Sequence, residues 1–541
     1  MGETTDFAWE TATTLSSFRD QIQTLGPRDR EVIVDQAIML LRNYYVHLPT
    51  KIEIYKIDPI GRLNTLKATL SSLQNDWVFH EALSHIFAEL HDLHTQYSLP
   101  VPFPTTAALL PFKVGAYADS GQTRYVVTDI QDSFVAPLDF KRGTEVLTWG
   151  GLPITDAVAA AAARTGGTSQ EARLARGLAS MTIRPLERQL PPEAPDLIIT
   201  YRTEQGDNSL TCPWRVVCVD LENRVPTLAR FTNLDHEGEL RRRASKKAYH
   251  QKVIQAEKTR AKTGEPQSPY PGPETLKTHL PSIFHARRID GTQVGYIRIF
   301  SFAVPGDHRD IETVVGRFAC EFVRLIEKLP QQGLIVDVRG NGGGIMPMAE
   351  GILQTLTAKR ITPQPLELRV TPAVVGLSKT EPDLSDYVAS LGQEGAGYSA
   401  ALPMSKPEWC NNLGQKYRGP VVLIIDARCY SATDAFAAGF QDHAIGPILG
   451  TSRATGAGGA NVWTLPDFPA EAGLVQPLPG GASLRVALRR TRRVGLRHGD
   501  LVEDVGVKAD ETHAVTRRDL LEGDVDLIAH AVSMLRSADR R

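Results

Sequence analysis

Ser431 and the glycines around position 342 are the residues whose setting suits covalent chemistry. Ser431 lies in VVLIIDARCYSATDAFAAGFQD, residues 421–442, which reads as an apolar strand, a short turn and then a helix. A serine at a helix start is commonly an N-cap. The same place also gives a nucleophile free backbone amides and the positive end of the helix dipole. The Ala432 amide then stands where it can donate to an oxyanion formed at Ser431. The second segment, GLIVDVRGNGGG at 333–344, runs an apolar strand into Gly340, Gly342, Gly343 and Gly344. Glycine admits positive φ and close backbone approach, and exposed amides at Gly342 and Gly343 can hold an anion or an oxyanion. A plain turn is the simpler reading of such a cluster. A dinucleotide fingerprint is excluded because Ile345 occupies the place of its third glycine. The chain has no G-x-S-x-G elbow, which argues against an ordinary α/β-hydrolase.

Four histidines, His80, His85, His91 and His94, fall close together. HEALSH spaces its two by five rather than four, so it is not a zincin helix. His91 and His94, three apart, can share a helix face, but no third ligand is evident and no metal is expected. Histidine is also the side chain best suited to take a serine proton near neutral pH.

The elements that must position these groups divide the chain into four parts. Residues 1–107 form an N-terminal helical region, with EVIVDQAIMLLRNYYVHL and VFHEALSHIFAELHDLH (78–94) as helical runs. Residues 108–218 read as short strands with a helix at 155–163. Residues 219–285 form a charged linker or insert; its stretch 235–280 has too few apolar residues for a core of its own and is expected to be a mobile or partly helical surface segment. Residues 286–541 alternate strand and helix, which argues for a mostly parallel sheet packed by helices.

At 541 residues the chain is too long for one core. With 60 basic and 62 acidic side chains the formal charge is -2, which gives no reason to expect nucleic acid as a partner. No signal peptide and no apolar run of membrane-spanning length are seen, and five cysteines without framework spacing suit a reducing compartment. A soluble, cytoplasmic protein without membrane contact is the expectation.

The segments at 333–344 and 421–450 resemble the signature of the C-terminal processing (tail-specific) serine peptidases and their relative tricorn protease. SATDAFAAGFQDHAIGPILG is similar to the family's Ser-Ala-Ser-Glu helix, and the resemblance makes Ser431 the nucleophile and Asp442 a structural acid. The order of parts also agrees, and implies an α/β fold: a Clp-protease/crotonase-like catalytic domain, a PDZ-like β domain and an N-terminal helical region. Common members use a Ser-Lys dyad with the lysine about 25 residues after the serine. This chain has no lysine between Lys416 and Lys508, and Arg453 stays protonated, so it cannot serve instead. Tricorn-type members use a histidine at the end of the N-terminal region, and HDLHTQY offers His94. A histidine base needs an orienting acid. LVEDVGVKAD is similar to the tricorn segment that carries a glutamate, with Glu503 the better match and Asp504 the near alternative.

The resemblance therefore implies a serine endopeptidase acting on peptide or protein substrates. Ser431, His94 and Glu503 would be the catalytic group, Gly342, Gly343 and Ala432 the oxyanion hole, and no cofactor would be needed. The missing lysine favours a rival, a non-catalytic ligand- or peptide-binding protein on the same fold. Hydrolysis of non-peptide esters is a third option.

Overall fold

The computed structural model describes residues 7–22, 24–219, 232–270, 272, 274–304, 310–390 and 397–538. A seven-stranded sheet organises the second half of the chain. Its order is Thr275–Leu276, Phe284–Arg288, Gly295–Ile299, Leu334–Asp337, Val421–Ile425, Ile448–Gly450 and Glu511–Thr512. From Gly295–Ile299 onward every neighbouring pair is parallel. The central strands are apolar throughout because both faces are covered. Leu334, Val336, Leu423 and Ile425 pack with helices Ile311–Lys328 and Ala432–Asp442. Ile335, Val422 and Ile424 point the other way, onto Leu527, Ile528, Ala531 and Leu535 of helix Val525–Ala538. The result is three layers, helix on sheet on helix.

A second sheet joins the two ends of the chain. It runs Leu402–Pro403, Pro365–Leu368, Ser483–Thr491 and Gln96–Ser98, with Ala460–Thr464 also paired to Ser483–Thr491. Gln96 lies opposite Arg485, and Tyr97 opposite Leu484. The N-terminal helices Pro27–Tyr44 and Asp76–Ala88 share one core with Leu484, Val486 and Leu488 of that strand.

The middle of the chain is a set of small antiparallel sheets. Thr106–Leu109 pairs with Arg215–Cys218 and Ile183–Pro185, and Phe112–Asp119 forms a hairpin with Gln122–Ile130. Two helices, Ile154–Ala163 and Gln170–Thr182, pack with them.

Two sequence expectations change here. The helical run expected to reach residue 94 ends at Ala88. His91 takes a left-handed φ of 51°, donates from Nδ1 to Gly167 O (3.2 Å) and packs its ring on Tyr55, so tertiary contacts override local helical composition. The charged stretch after 235 makes two helices, His236–Tyr249 and Gln251–Thr263. Leu240, Ala244 and Ala248 of the first are buried against Trp9, Ala107 and Leu109. Its charges pair locally, Glu237 with Arg241 and Glu239 with Arg242 and Arg243, which is how so polar a segment packs.

Candidate active site

Strand Val421–Ile425 delivers the chain into a tight turn at 426–430 and then helix Ala432–Asp442. Asp426 ties the turn to the glycine segment by accepting from Gly340 N (2.8 Å), and Tyr430 N donates to Asn341 O (3.0 Å). At the junction Ser431 adopts φ 63°, ψ -119°, a conformation a non-glycine residue holds only when its surroundings enforce it. Asp434 does so from one turn on: it accepts from Ser431 N (2.8 Å) and from Gly458 N (2.9 Å), and binds the Thr455 hydroxyl. Burial pushes the Asp434 carboxyl up to about 6, against these donors.

His94 meets Ser431 from the other end of the chain. Its Nε2 lies 2.9 Å from Ser431 Oγ, and both residues are buried. Three contacts fix the segment around it: His94 N donates to Asp92 Oδ1 (2.7 Å), Leu93 N donates to the Tyr430 hydroxyl (3.1 Å), and Ala487 N donates to Thr95 Oγ1 (3.0 Å). Tyr430 also packs its ring on the imidazole, with centroids 4.7 Å apart.

Behind the histidine, a ring nitrogen of His94 and carboxylate oxygens of Asp92 and Glu503 lie within 4.8 Å of one another. Glu503 accepts from Lys51 Nζ (2.8 Å) on one oxygen and from Gly459 N (3.2 Å) on the other. Burial, with Asp92 and Asp504 nearby, pushes its carboxyl up, and Lys51 opposes that. An ammonium and an amide on the two oxygens favour the carboxylate. For Lys51, burial alone would lower the pKa, but Glu503 and Asp504 reverse this and keep it charged. Asp504 turns to Lys51 (2.6 Å) and to the Tyr55 hydroxyl (2.8 Å). Glu503 is therefore the acid gathered with His94, and Asp504 belongs to Lys51.

This trio is the only group of three potential metal ligands among the described residues. The Lys51 ammonium already supplies a positive charge there, and His94 Nε2 is directed at Ser431, so the donors suit a hydrogen-bonded triad better than a cation. The other three histidines of the 80–94 stretch lie apart: His80 Nδ1 bonds the Tyr97 hydroxyl (3.0 Å), His85 pairs with Glu89 and His91 donates to Gly167 O.

On the opposite side of Ser431 runs the glycine turn. A Cβ on Gly343 would fall 2.6 Å from Tyr430 O and 2.8 Å from both Ala432 N and Ser431 Cβ, so only glycine fits. The Gly343 amide is donated to Asn341 Oδ1 (2.9 Å), which removes it from the expected set of oxyanion donors. Gly342 and Ala432 amides have no acceptor among the described residues. Asp442 makes a buried pair with Arg493 (2.6 Å), a structural role. Lys51, Asp92, Asp434 and Tyr430 were not singled out by sequence. Asp92 carries the one local signal, an acid two residues before a histidine.

A slot of about 10 Å³ opens beside Ser431, lined by Met346, Gln364, Ala435 and Val502 among others. That is room for about one water.

Residues 293–510 match peptidase family S41, and residues 106–224 match the PDZ domain. Solved structures share the whole arrangement. Mature CPAF is 16% identical, with 95% of this chain and 98% of that one covered at a TM-score of 0.64. A serine-to-alanine mutant of CPAF is 16% identical over 91% and 94% of the two chains, with a TM-score of 0.63. Mature CPAF complexed with lactacystin is 15% identical over 94% and 98%, with a TM-score of 0.62. No curated protein matches the chain. Residues 293–510 are thus a catalytic region of peptidase family S41, the C-terminal processing peptidases, joined to a PDZ domain, and the chain is a serine-type peptidase.

Proposed function

We propose that Ser431, His94 and Glu503 form the catalytic triad of this endopeptidase, with a histidine in place of the dyad lysine. The carrying observation is the 2.9 Å approach of His94 Nε2 to Ser431 Oγ, made by a serine held in a strained backbone conformation. His94 takes the hydroxyl proton as Ser431 Oγ attacks the substrate carbonyl. It then returns that proton to the leaving amine, and activates the water that releases the acyl group. Glu503, kept ionised by Lys51, favours the imidazolium formed in between. The amides of Gly342 and Ala432 receive the oxyanion.

Peptides and proteins are the substrates. The PDZ domain offers a module that takes peptides by strand addition or by an end, which suits the tail-specific mode of cleavage. The five cysteines are all free, in keeping with action in a reducing cytoplasm. Among the described residues no helix is long and apolar enough to cross a membrane.

A fluorophosphonate probe tests the assignment. It should label Ser431, and Ser431→Ala should abolish labelling and lower turnover by roughly 10⁴–10⁶-fold. Full peptidase activity in that variant ends the assignment.

A further inference from the structure

A cavity of about 680 Å³, well within the range of ligand pockets, lies away from Ser431. Helix Asp76–Ala88 forms one wall with Trp77, His80 and Ser84, and Arg184, Arg188 and Gln189 face it. Gln96 and Tyr97, which follow His94 by two and three residues, complete the lining between them.

Four arginines line this cavity: Arg19, Arg164, Arg184 and Arg188. Four carboxylates also line it, but two are already satisfied from outside. Asp76 pairs with Arg30 (2.6 Å) and Glu237 with Arg241 (2.6 Å). The other two, Glu81 and Glu193, are exposed at the rim. Arg164 is exposed at the rim as well, so Arg184, Arg188 and the half-buried Arg19 leave the interior cationic. His80 adds nothing to that charge, because burial pushes its pKa down to about 4.

The hydrogen-bond accounting points the same way. Arg188 is 8% exposed, and none of its three guanidinium nitrogens has a hydrogen-bond partner among the described residues. Its nearest acid, Glu187, stands 3.8 Å away. The Nε atoms of Arg19 and Arg184 and the Ser84 hydroxyl are likewise buried without partners. Burial, and then Arg164, brings the Arg184 pKa down to about 10. Arg485, across the strand pair from Gln96, is brought down to about 9 by burial and then by Arg188. A guanidinium carries five donors and cannot shed its charge near neutrality. A buried guanidinium whose hydrogen bonds go unmade is costly, and an oxyanion at Arg188 would relieve it.

We propose that this cavity is a second binding site, separate from the Ser431–His94 centre, for a ligand bearing a carboxylate or phosphate group that Arg188 holds, with Arg184 adding positive charge to the cavity wall. The shared chemistry is a multidentate oxyanion, and it has two sources: acidic residues of a bound peptide, or a free small anion.

The test uses the full chain. Trp77 lines the cavity beneath the Arg19 guanidinium, 5.9 Å from its ring, so tryptophan fluorescence should report occupancy. Inorganic phosphate and a hexaglutamate peptide are titrated separately, with calorimetry as the second readout. Saturable binding of either is expected, weakening as salt is raised. Arg188→Met and Arg184→Gln should each weaken it at least tenfold, and Arg453→Gln, an exposed arginine elsewhere, should not. Arg164→Gln alters an exposed rim residue that the fold does not need, and should cost about threefold even if the Arg188 variant is poorly folded. Phosphate binding alone identifies a small-anion site, and peptide binding alone identifies an acidic segment as the occupant. If neither probe binds, or if binding ignores Arg164, Arg184 and Arg188, the proposal is overturned.

Discussion

Replacing Lys51 with methionine probes how the acid behind His94 is kept charged. Lys51 Nζ stands 2.8 Å from Glu503 and 2.6 Å from Asp504, and the lysine is fully buried. Methionine fills much of the same space and removes the ammonium. Two carboxylates then share a buried site with Asp92. Removing one partner of a buried pair costs about 3–5 kcal/mol. Part of that cost is relieved if Glu503 takes up a proton, because burial, Asp92 and Asp504 already push its carboxyl up and the ammonium that opposes them is gone. A neutral Glu503 no longer favours the imidazolium. Loss of charge on a triad acid can cost as much as ~10⁴-fold, so a fall in turnover of about 10²–10⁴-fold is expected. The double variant Lys51→Met/Glu503→Gln separates the two effects. With no unpaired charge on Glu503, at least half of the lost stability should return, while turnover stays low. Urea unfolding followed by circular dichroism gives the first quantity and steady-state peptide hydrolysis the second. Wild-type stability and turnover in Lys51→Met would refute the reasoning, since the ammonium would then not be what holds Glu503.

His94→Ala should lower turnover nearly as much as Ser431→Ala, and the double variant little further, because members of such a unit are not additive; steady-state kinetics on all three checks this. Lys508→Ala should leave turnover within a few-fold of wild type, and a collapse with the fold intact would mean the base is misassigned. Gly343→Ala should abolish probe labelling of Ser431, since its Cβ would meet Tyr430 O at 2.6 Å on a residue with φ 94°. Acid should unfold the segment that carries Asp235 and Glu239. Burial raises both pKa values, but Arg176 for the first and Arg242 for the second override it and bring each to about 2. The stabilisation, about 2–3 kcal/mol each, is complete above pH ~4.5 and is lost as pH falls toward 2. Hydrogen exchange over residues 235–249 between pH 5 and 2.5 should record it.

What the sequence makes legible is whatever local pattern encodes. Ser431 and the glycine turn stand out because strand, turn and helix follow one another within a few residues, and the alternation after 286 announces the parallel sheet. His94 is harder. Its neighbourhood has helical composition, and only its resemblance to the tricorn segment singles it out, because the contacts that place it come from Tyr430, Thr95 and strand Ser483–Thr491. Lys51 has no local signal at all. It sits on a short helix whose apolar Ile52 and Ile54 are 41% and 52% exposed while the lysine itself is buried, the reverse of an amphipathic expectation. The helix after Asp235 shows only a spaced Leu240, Ala244 and Ala248 amid charge, and whether such a stripe is buried depends on the surface it meets.

The separation of 337 positions between His94 and Ser431, the proposed base and nucleophile, also sets when this peptidase can begin to cut. Chains grow from the N-terminus at roughly 5–20 residues per second. The proposed base therefore leaves the ribosome on the order of tens of seconds before the proposed nucleophile is made. It must wait longer still for strand Ser483–Thr491, which carries the partner of Gln96, and for Glu503. A product that ends before Glu503 lacks part of the proposed centre and should not attack the proteins around it. Ordering the functional groups across both halves of the gene thus delays hydrolysis until translation has passed the last of them.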